Sequence, residues 1–323
     1  MASDASSTPH CCGPARSSAE GVDDAPAAGA PAQLLESIAA PADEVRSRAE
    51  RTVLIEAGAF RMGTEDRDRN PLDGEAPIRT VDVPAFRIDA CTVTNAEFAA
   101  FVQDSGYVTE AEEAFGWSFV FAGLLTSEQR RSAAKPPGTP WWRAVMQAFW
   151  YQPEGPGSSI EERADHPVVH VSLRDAEAFA AWCGMRLPRE AEWEKAARGG
   201  LDQARYAWGD ELRPNGEHQC NIWQGSFPFT NTEEDGFLGT APVRTYAPNG
   251  FGLFQMAGNV WEWCSDRWST GAAPSMTGDV RVVRGGSYLC HDSYCNRYRV
   301  AARHASAVED TAGNKGFRLA ADA

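Results

Sequence analysis

Two cysteines, Cys290 and Cys295, stand in one short cationic segment, GGSYLCHDSYCNRYRVAAR (residues 285–303). Two thiolates without other strong ligands nearby suit a soft ion of low coordination number, and Cu(I) is the usual one. The pair could also act as a redox-active dithiol, because the three arginines that follow Cys295 favour a thiolate at either sulfur. A structural or incidental pair is the third interpretation that the spacing leaves open.

Two loops carry oxygen ligands that could hold a calcium ion. Glu262 lies between two tryptophans in GNVWEWCSDRW, and a carboxylate among indole rings needs a cation or a set of donors. Backbone carbonyls of that glycine-containing loop could complete a calcium shell, and Asn221 and Asp235 offer a second set of oxygens. Neither loop has the spacing of an EF-hand, so the spacing alone favours hydrogen-bonded loops over calcium sites.

His166 and His170 lie four residues apart in DHPVVHVS. The β-branched run and Pro167 predict a strand there, on which the close approach of two helical ligands is lost. We therefore interpret both histidines as structural. The chain also lacks a glycine-rich phosphate loop, a Gly-x-Ser-x-Gly motif and a His-Glu-x-x-His motif, which disfavours those three chemistries.

The composition bounds the class of protein. The chain has 323 residues, 43% of them hydrophobic, and a formal net charge of -15. A generic nucleic-acid binder needs a basic face, so nucleic acid is an unexpected partner. No apolar run approaches the ~20 residues that span a bilayer, and the N-terminus lacks the hydrophobic core of a signal peptide. We expect a monomeric cytoplasmic protein without membrane contact, whose eight cysteines stay mostly reduced.

The elements that must position these residues lie in one domain. Residues 1–49 are rich in Ala, Ser, Pro and Asp and predict a disordered or weakly ordered tail, which contains the Cys11-Cys12 pair of unknown role. Residues 50–323 predict a single catalytic domain, because no internal linker is visible.

Within that domain, alternating apolar residues predict strands near residues 51–64 and 79–95. Helical spacing predicts one helix from Asn95 to a terminal glycine and a second capped by Ser172. A third is predicted to run from Pro188 to Gly199. Short strands and long Gly/Pro/Asn loops follow. The sequence thus predicts an α+β fold with low regular secondary-structure content.

These segments closely resemble the formylglycine-generating enzymes, also called sulfatase-modifying factors, of the prokaryotic copper-dependent type. The resemblance runs from about residue 51 to residue 321 and includes HPVVHVSLRDAEAFAAWCGMRLPREAEWEKAARGG, GNVWEWCSD and NKGFRLA. GNVWEW and RGGS occur throughout a broader superfamily, whereas the two cysteines of SYLCHDSYCNRYR mark the catalytic branch. The resemblance implies a single compact domain, distantly similar to C-type lectin domains.

The resemblance also implies an activity. The expected protein is an oxidase that converts the cysteine of a Cys-x-Pro-x-Arg motif in an unfolded sulfatase to Cα-formylglycine. Molecular oxygen is the oxidant, a thiol is the reductant, and Cu(I) is held by Cys290 and Cys295. Ser287 and Tyr294 match family positions beside the reactive centre, and Trp261 matches the wall of the oxygen pocket. Asn314 and Arg303 match family positions near the substrate groove.

Two structural calcium sites follow from the same resemblance. The first set of ligands maps onto Asn221, Ile222, Asp235 and Phe237, and the second onto Gln255, Gly258, Val260 and Glu262. Gln255 stands where the family has asparagine, so the amide oxygen is retained.

The cysteine pattern departs from that of secreted relatives. Positions that form extra disulfide bonds in those relatives are here Ala180, Ala197, Val300 and Leu319. None of these can form a disulfide, which agrees with a reducing compartment. The remaining cysteines of the domain are predicted to be buried small hydrophobic residues, namely Cys91, Cys183, Cys220 and Cys264.

Three other functions compete with this hypothesis. A non-catalytic binding module on the same scaffold would have no reason to keep both Cys290 and Cys295. A thiol-disulfide oxidoreductase would use the two cysteines without copper. An iron-dependent sulfoxide synthase would need a His-x3-His-x-Glu motif, but Ser172 stands at the glutamate position here. It would also need a helical domain for which the first ~50 residues are too few.

Overall fold

The computed structural model describes residue 14 and residues 29–269 and 278–323. Its helices are short and are joined by long loops, which confirms the predicted α+β fold of low regular content. The helices are α1 (Ala32–Ile38), α2 (Ala42–Arg46), α3 (Asn95–Ser105), α4 (Ser127–Ser132), α5 (Leu173–Trp182) and α6 (Glu190–Arg198). The strands are β1 (Val53–Ile55), β2 (Gly58–Met62), β3 (Arg79–Val83), β4 (Phe86–Ile88), β5 (Trp117–Phe121), β6 (Trp142–Met146), β7 (Gly225–Ser226), β8 (Thr230–Asn231), β9 (Trp261–Arg267), β10 (Val280–Arg284), β11 (Arg303–Ala307), β12 (Lys315–Gly316) and β13 (Ala320–Asp322).

A four-stranded sheet of order β11-β10-β9-β12 supports the segment that carries the two cysteines. Strand β10 is antiparallel to β9 and to β11, and the register places Arg284 opposite both Glu262 and Arg303. Strand β12 runs parallel to β9. The chain leaves β10 at Arg284 and enters the cysteine segment directly, so this sheet fixes where the segment begins.

A second sheet joins the two ends of the domain. Strand β4 pairs antiparallel with β1 on one side and with β13 on the other. Between the sheets and helices α3 and α5 lies an apolar core that includes Phe98, Phe179 and Phe317. The Phe179 ring packs on the Phe98 and Phe317 rings with centroids 5.9 and 5.5 Å away. Cys290 and Cys295 are part of the same core.

The ends of α5 and α6 depend on local side-chain chemistry. Ser172 is the N-cap of α5, as predicted: its Oγ accepts from the Asp175 N–H at 3.2 Å, while Asp175 Oδ2 accepts from the Ser172 N–H at 2.8 Å. Helix α6 begins at Glu190 rather than at Pro188, because Arg189 keeps an extended backbone and acts as its N-cap. The helix ends at Gly199, as predicted, where φ is +57°.

Burial of Asp175 makes stability depend on pH. Burial raises the pKa of this carboxyl from 3.8 to about 6, although hydrogen bonds from Ser172, Glu110 and Tyr107 favour its charged form. The native state therefore holds the proton more tightly than the unfolded chain, and this contribution is present below pH ~4 and lost as the pH rises through ~6. At ~1.4 kcal/mol per pKa unit, about 3 kcal/mol is involved.

We therefore expect Asp175→Asn to gain stability relative to the wild type as the pH rises from about 4 to about 7. Urea unfolding at several pH values measures the difference in unfolding free energy between the two proteins. Asp43→Asn, at an exposed position of α2, is the control. A difference between Asp175→Asn and wild type that stays constant with pH would contradict the expectation.

Part of residues 1–49, the predicted disordered or weakly ordered tail, is helical in the structure. Residues 32–38 and 42–46 form α1 and α2, within the stretch predicted as disordered or weakly ordered. Leu35, Ile38 and Val45 are buried in the main apolar core. Burial of these three side chains stabilises the two helices, even though the Ala/Pro-rich composition of the segment predicts little regular structure. Cys11 and Cys12 lie outside the described residues.

The predicted strand at His166–His170 is wrong. Pro167 makes one isolated bridge to Thr94, and His170 has a left-handed φ of +62°. Pro167 has no N–H to give a ladder, and the left-handed turn at His170 ends any extended run. The structural role predicted for His170 agrees with its full burial and with its Nδ1 lying 2.8 Å from Ser118 Oγ.

The cysteines outside residues 285–303 are mostly in the core. Cys183, Cys220 and Cys264 are buried, as predicted, whereas Cys91 is only half-buried because it lies at a small surface cavity. Within the described parts of the chain, no helix is both long and apolar enough to cross a membrane.

Candidate active site

The segment of residues 285–303, which carries Cys290 and Cys295 and is the candidate catalytic segment, folds back on itself through two glycines. Gly285 and Gly286 follow β10 with φ of +91° and +75°, a conformation that L side chains rarely adopt. A Cβ on Gly286 would lie 3.0 Å from the Arg297 carbonyl oxygen and 3.0 Å from the Tyr298 nitrogen. The absence of a side chain at Gly286 therefore lets the start of the segment pack against its end.

This reversal brings the two cysteines together. The Sγ atoms of Cys290 and Cys295 lie 2.9 Å apart, and each residue is 2% exposed. They are not joined by a disulfide bond. The Cys290 sulfur also accepts from the Ser287 N–H at 3.4 Å. A backbone N–H that donates to sulfur stabilises a thiolate relative to a thiol, whereas burial of the two residues opposes ionisation.

Three other predicted residues lie at the same place. The Asn314 amide donates to Ser287 Oγ at 3.1 Å, and the Asn314 carbonyl accepts from the Trp261 N–H at 2.8 Å. All three side chains are fully buried. Asn314 Oδ1 and Trp261 Nε1 are buried without a hydrogen-bond partner in the described structure. Unpaired buried polar atoms are costly, so these two atoms are available to a bound ligand.

Tyr294 belongs to an aromatic cluster at the edge of the site. Its ring stacks on Phe227 with centroids 4.8 Å apart and meets Trp141 edge-on at 4.8 Å. Trp223 packs edge-on against Phe227 at 5.2 Å, and its backbone N–H donates to the Cys290 carbonyl at 3.1 Å. The cluster therefore touches the catalytic segment at two points.

The sequence interpretation gave no role to Trp141, Phe227 or Trp223. The two tryptophans lie in the segments PWWRAV and NIWQGSF, which carry the family resemblance, but nothing in their spacing connects them with Tyr294. Only the folded loops bring these rings together.

Of the three arginines that follow Cys295, Arg297 reaches it. Its Nη1 lies 3.8 Å from Cys295 Sγ, while its Nε donates to Asp73 Oδ2 at 2.5 Å. Burial opposes ionisation of Asp73, but hydrogen bonding to His304 and the charge of Arg297 hold the pKa of that carboxyl below its usual range. A charged Asp73 thus fixes a guanidinium beside the sulfur.

The other two arginines form buried ion pairs. Arg299 makes a two-pronged pair with Glu75 at 2.6 and 2.9 Å. Arg303 makes a similar pair with Glu190 of α6 at 2.5 and 2.8 Å. The charge of Arg303 is therefore balanced within the fold, and its position indicates that it anchors β11 on α6. The sequence predicted that all three arginines would favour a thiolate, but in the described structure only Arg297 among them contacts a cysteine sulfur.

Two of the four predicted ligands of the first calcium site, Ile222 and Asp235, meet at the side-chain amide of Gln224. Gln224 Nε2 donates to the Ile222 carbonyl and, at 2.8 Å, to Asp235 Oδ2. The Phe237 N–H donates to Asp235 Oδ1 at 3.1 Å. Asn221 Oδ1 is buried without a partner in the described structure. Burial raises the pKa of Asp235, so a neighbouring positive charge would stabilise its ionised form.

The second set is adjacent to the first. A Cβ on Gly258 would lie 2.3 Å from the Asn221 carbonyl oxygen, so the two loops are in direct contact. Gln255 Oε1 is buried without a partner in the described structure, and Val260, five residues later, is also buried. Glu262 Oε2 accepts from Trp193 Nε1 at 2.8 Å and from Arg318 Nε at 2.6 Å.

Arg318 is the cation that a carboxylate between tryptophans needs. Its Nη2 donates to Glu262 Oε1 at 2.8 Å, and both side chains are fully buried. A carboxylate oxygen accepts up to two bonds, so Oε1 retains room for a further ligand. Among the described residues, no group of three or more His, Cys, Asp or Glu side chains is placed to hold a metal ion.

Comparison with known proteins places the chain in a family. A family model described as "Sulfatase-modifying factor enzyme 1-like domain" matches residues 38–323. A relative named formylglycine-generating enzyme, from Thermomonospora curvata, is 57% identical over 282 residues, which cover 84% of this chain and 93% of the relative. A Bos taurus relative named inactive C-alpha-formylglycine-generating enzyme 2 is 46% identical over 84% of this chain and 88% of its own.

A solved structure agrees at the level of the fold. The structure of PvdO from Pseudomonas aeruginosa superposes with a TM-score of 0.57 and 24% identity, over 84% of this chain and 94% of that chain. The family model spans most of the chain, and Cys290, Cys295, Ser287, Asn314 and Trp261 lie buried in one part of the fold. The chain therefore belongs to the sulfatase-modifying factor family of formylglycine-generating enzymes.

Proposed function

We propose that this protein oxidises the cysteine of a Cys-x-Pro-x-Arg motif in an unfolded sulfatase to Cα-formylglycine, with molecular oxygen as oxidant and a thiol as reductant. The observation that carries the proposal is the pair of buried sulfurs of Cys290 and Cys295, 2.9 Å apart. A non-catalytic relative has no use for two buried thiols beside unpaired polar atoms.

The donor set suits Cu(I). Two buried thiolates form a soft ligand set for an ion that accepts low coordination. Two thiolates carry one more negative charge than Cu(I) balances, and the Arg297 guanidinium beside Cys295 offsets that excess. When bound there, Cu(I) would supply a soft attachment point for the substrate thiolate and electron transfer to oxygen.

The stoichiometry fixes what must enter the site. Conversion of CH₂–SH to an aldehyde with release of H₂S is a two-electron oxidation of the substrate. Oxygen accepts four electrons on reduction to water, so two further electrons and two protons come from the thiol reductant. In the overall balance both oxygen atoms of O₂ are reduced to water, and one water molecule is consumed when the oxidised carbon is hydrolysed to the aldehyde with loss of H₂S.

Side chains around the two cysteines would donate hydrogen bonds, exclude water and contact the substrate. Asn314 donates to Ser287 Oγ, which leaves the Ser287 hydroxyl proton free to donate to an oxygen species or to the substrate. Trp261 closes the interior side and keeps water out, since it is fully buried in the same core as both cysteines. The Tyr294 ring and its aromatic neighbours form the edge that a bound polypeptide would meet.

A peptide assay tests the proposal. A short Cys-x-Pro-x-Arg peptide is incubated with Cu(I)-loaded protein, a thiol reductant and air, and a hydrazide traps the aldehyde for mass spectrometry. We expect aldehyde that requires both copper and oxygen. Recovery of the peptide unchanged, or only as a disulfide, would overturn the proposal.

A thiol-disulfide oxidoreductase is the second candidate. The observation that favours it is the same 2.9 Å separation, from which a small movement would form a Cys290–Cys295 disulfide. It predicts reversible oxidation of the pair and copper-independent exchange with the peptide thiol. The peptide assay without copper separates the two candidates.

We further propose that calcium stabilises the loops around Asn221 and Gln255. Each contributes a buried amide oxygen that lacks a partner in the described structure, and oxygen is the donor that calcium prefers. Gln224 Nε2 lies where a cation would contact the Ile222 carbonyl and Asp235. The second set would add the carbonyls of Gly258 and Val260 and the free acceptor position of Glu262 Oε1.

We expect calcium to raise the midpoint of thermal unfolding by about 5 °C, and chelation by EDTA to reverse this. Asp235→Asn removes the charge of the first set, so calcium should stabilise that variant much less. Asp202→Asn, at an exposed carboxylate, is the matched control. An equal calcium effect in wild type and Asp235→Asn would refute the first site.

The cysteines also bear on location. We propose that the protein works in the reducing cytoplasm, where structural disulfides are rare. Two observations support this: the six cysteines within the described residues are not disulfide-bonded, and Ala180, Ala197, Val300 and Leu319 replace the bridges of secreted relatives.

A further inference from the structure

A cleft of about 540 Å³ opens beside the catalytic segment. Its wall is mainly aromatic and aliphatic, with Trp141, Trp223, Phe229 and Leu238 among the lining residues. Its volume is typical of a site that holds a small ligand or one or two side chains.

Two contacts connect this cleft to the cysteines. The backbone N–H of Trp223 donates to the Cys290 carbonyl at 3.1 Å. The Trp141 ring packs against the ring of Tyr294, which directly precedes Cys295. Because Trp141 and Trp223 line the cleft and also contact the segment that carries the cysteines, a residue close to a bound substrate cysteine in an extended chain can reach the cleft.

Phe229 makes the outer wall of the cleft. It is the last of the three residues that connect β7 to β8, and it is 87% exposed, the highest value among the exposed large hydrophobic residues of the described chain. Water contact with a whole phenyl ring is unfavourable, and covering the ring with another apolar side chain removes that cost. A polypeptide that is unfolded when it binds exposes such side chains.

The charge of the side chains that line the cleft indicates which kind of substrate side chain can bind there. Arg130 is the charged side chain among the lining residues, and the lining includes no carboxylate. A lysine or arginine of the substrate would therefore meet an apolar wall and a like charge. A large uncharged apolar side chain is the chemistry that fits.

We propose that this cleft is a specificity subsite, in which Phe229 and Leu238 hold a large apolar side chain from a position that the Cys-x-Pro-x-Arg motif leaves open. The inference rests on the proposed function for its choice of substrate. The subsite would give the enzyme a preference for particular residues at positions other than the fixed Cys, Pro and Arg of the motif.

Peptide binding tests this without turnover. In a set of labelled peptides the motif cysteine is replaced by serine, and one phenylalanine is moved through the two variable motif positions and the two residues before the cysteine. Serine fills the other positions, and a parallel set carries lysine in place of phenylalanine. Fluorescence anisotropy with the full chain gives Kd for each peptide.

We expect phenylalanine at one position to tighten binding about tenfold over serine, and lysine there to give no gain. Phe229→Ser should remove the gain, and Phe229→Leu should retain most of it. Leu201→Ser, which alters an exposed leucine outside the cleft, should bind as wild type does.

Three results would overturn the subsite. The gain could persist in Phe229→Ser, it could be absent at every position, or Phe229→Ser could weaken all peptides equally, which would place the ring against a fixed motif residue. The aldehyde assay with the cysteine peptides reports separately on the proposed function. A positional gain without aldehyde would leave the subsite intact and remove the oxidase.

Discussion

Replacing either Cys290 or Cys295 with serine is expected to lower kcat/KM for aldehyde formation at least ~1000-fold, because the two sulfurs act as one unit. A hydroxyl is a hard, weakly acidic ligand and does not replace a thiolate toward Cu(I). The same variants should lose Cu(I) affinity in competition with a chromophoric chelator. That readout does not depend on turnover.

Cys91→Ser is the control for these two variants, since Cys91 is half-buried and lies outside the site. It should keep both activity and copper affinity. A serine variant at position 290 or 295 that binds copper as tightly as wild type would show that the metal site is elsewhere. Circular dichroism separates loss of copper from loss of fold.

Arg318→Met is expected to reduce the free energy of unfolding by about 3–5 kcal/mol. Both partners of the Arg318–Glu262 pair are at most 1% exposed, so the change leaves a buried carboxylate without its cation. Trp193 Nε1 still donates to Glu262, but one neutral donor does not replace a two-pronged guanidinium. Denaturant unfolding measures the loss.

The exposed Arg61–Asp202 pair provides the matched control. Arg61→Met should cost less than about 1 kcal/mol, because water screens and replaces that interaction. The double variant Arg318→Met, Glu262→Gln should recover part of the loss, since it removes the stranded charge. Equal losses for Arg318→Met and Arg61→Met would contradict the account.

The parts of the fold predicted from the sequence are those that neighbouring residues determine. Ser172 caps α5 through Asp175, three residues later, and Gly199 ends α6 through its own left-handed backbone. The strand predicted at His166–His170 failed for the opposite reason. A strand needs a partner edge, and a local pattern cannot tell whether the fold provides one.

The site divides in the same way. Cys290 and Cys295 are recognisable because one short segment contains both. The sequence cannot show which arginine meets the sulfur, because that choice depends on carboxylates far along the chain: Asp73 orients Arg297 toward Cys295, whereas Glu75 takes up Arg299. The aromatic cluster was missed because its rings come from three separate loops.

The pairs Asp73–Arg297 and Glu75–Arg299 each join residues 224 positions apart. During synthesis the ribosome delivers the two carboxylates long before the two guanidinium groups. Strand β13, which completes the sheet of β1 and β4, emerges later still. Contacts of such sequence separation form late in folding. The two thiols are themselves synthesised late, and they reach their final surroundings only after contacts of this sequence separation have formed.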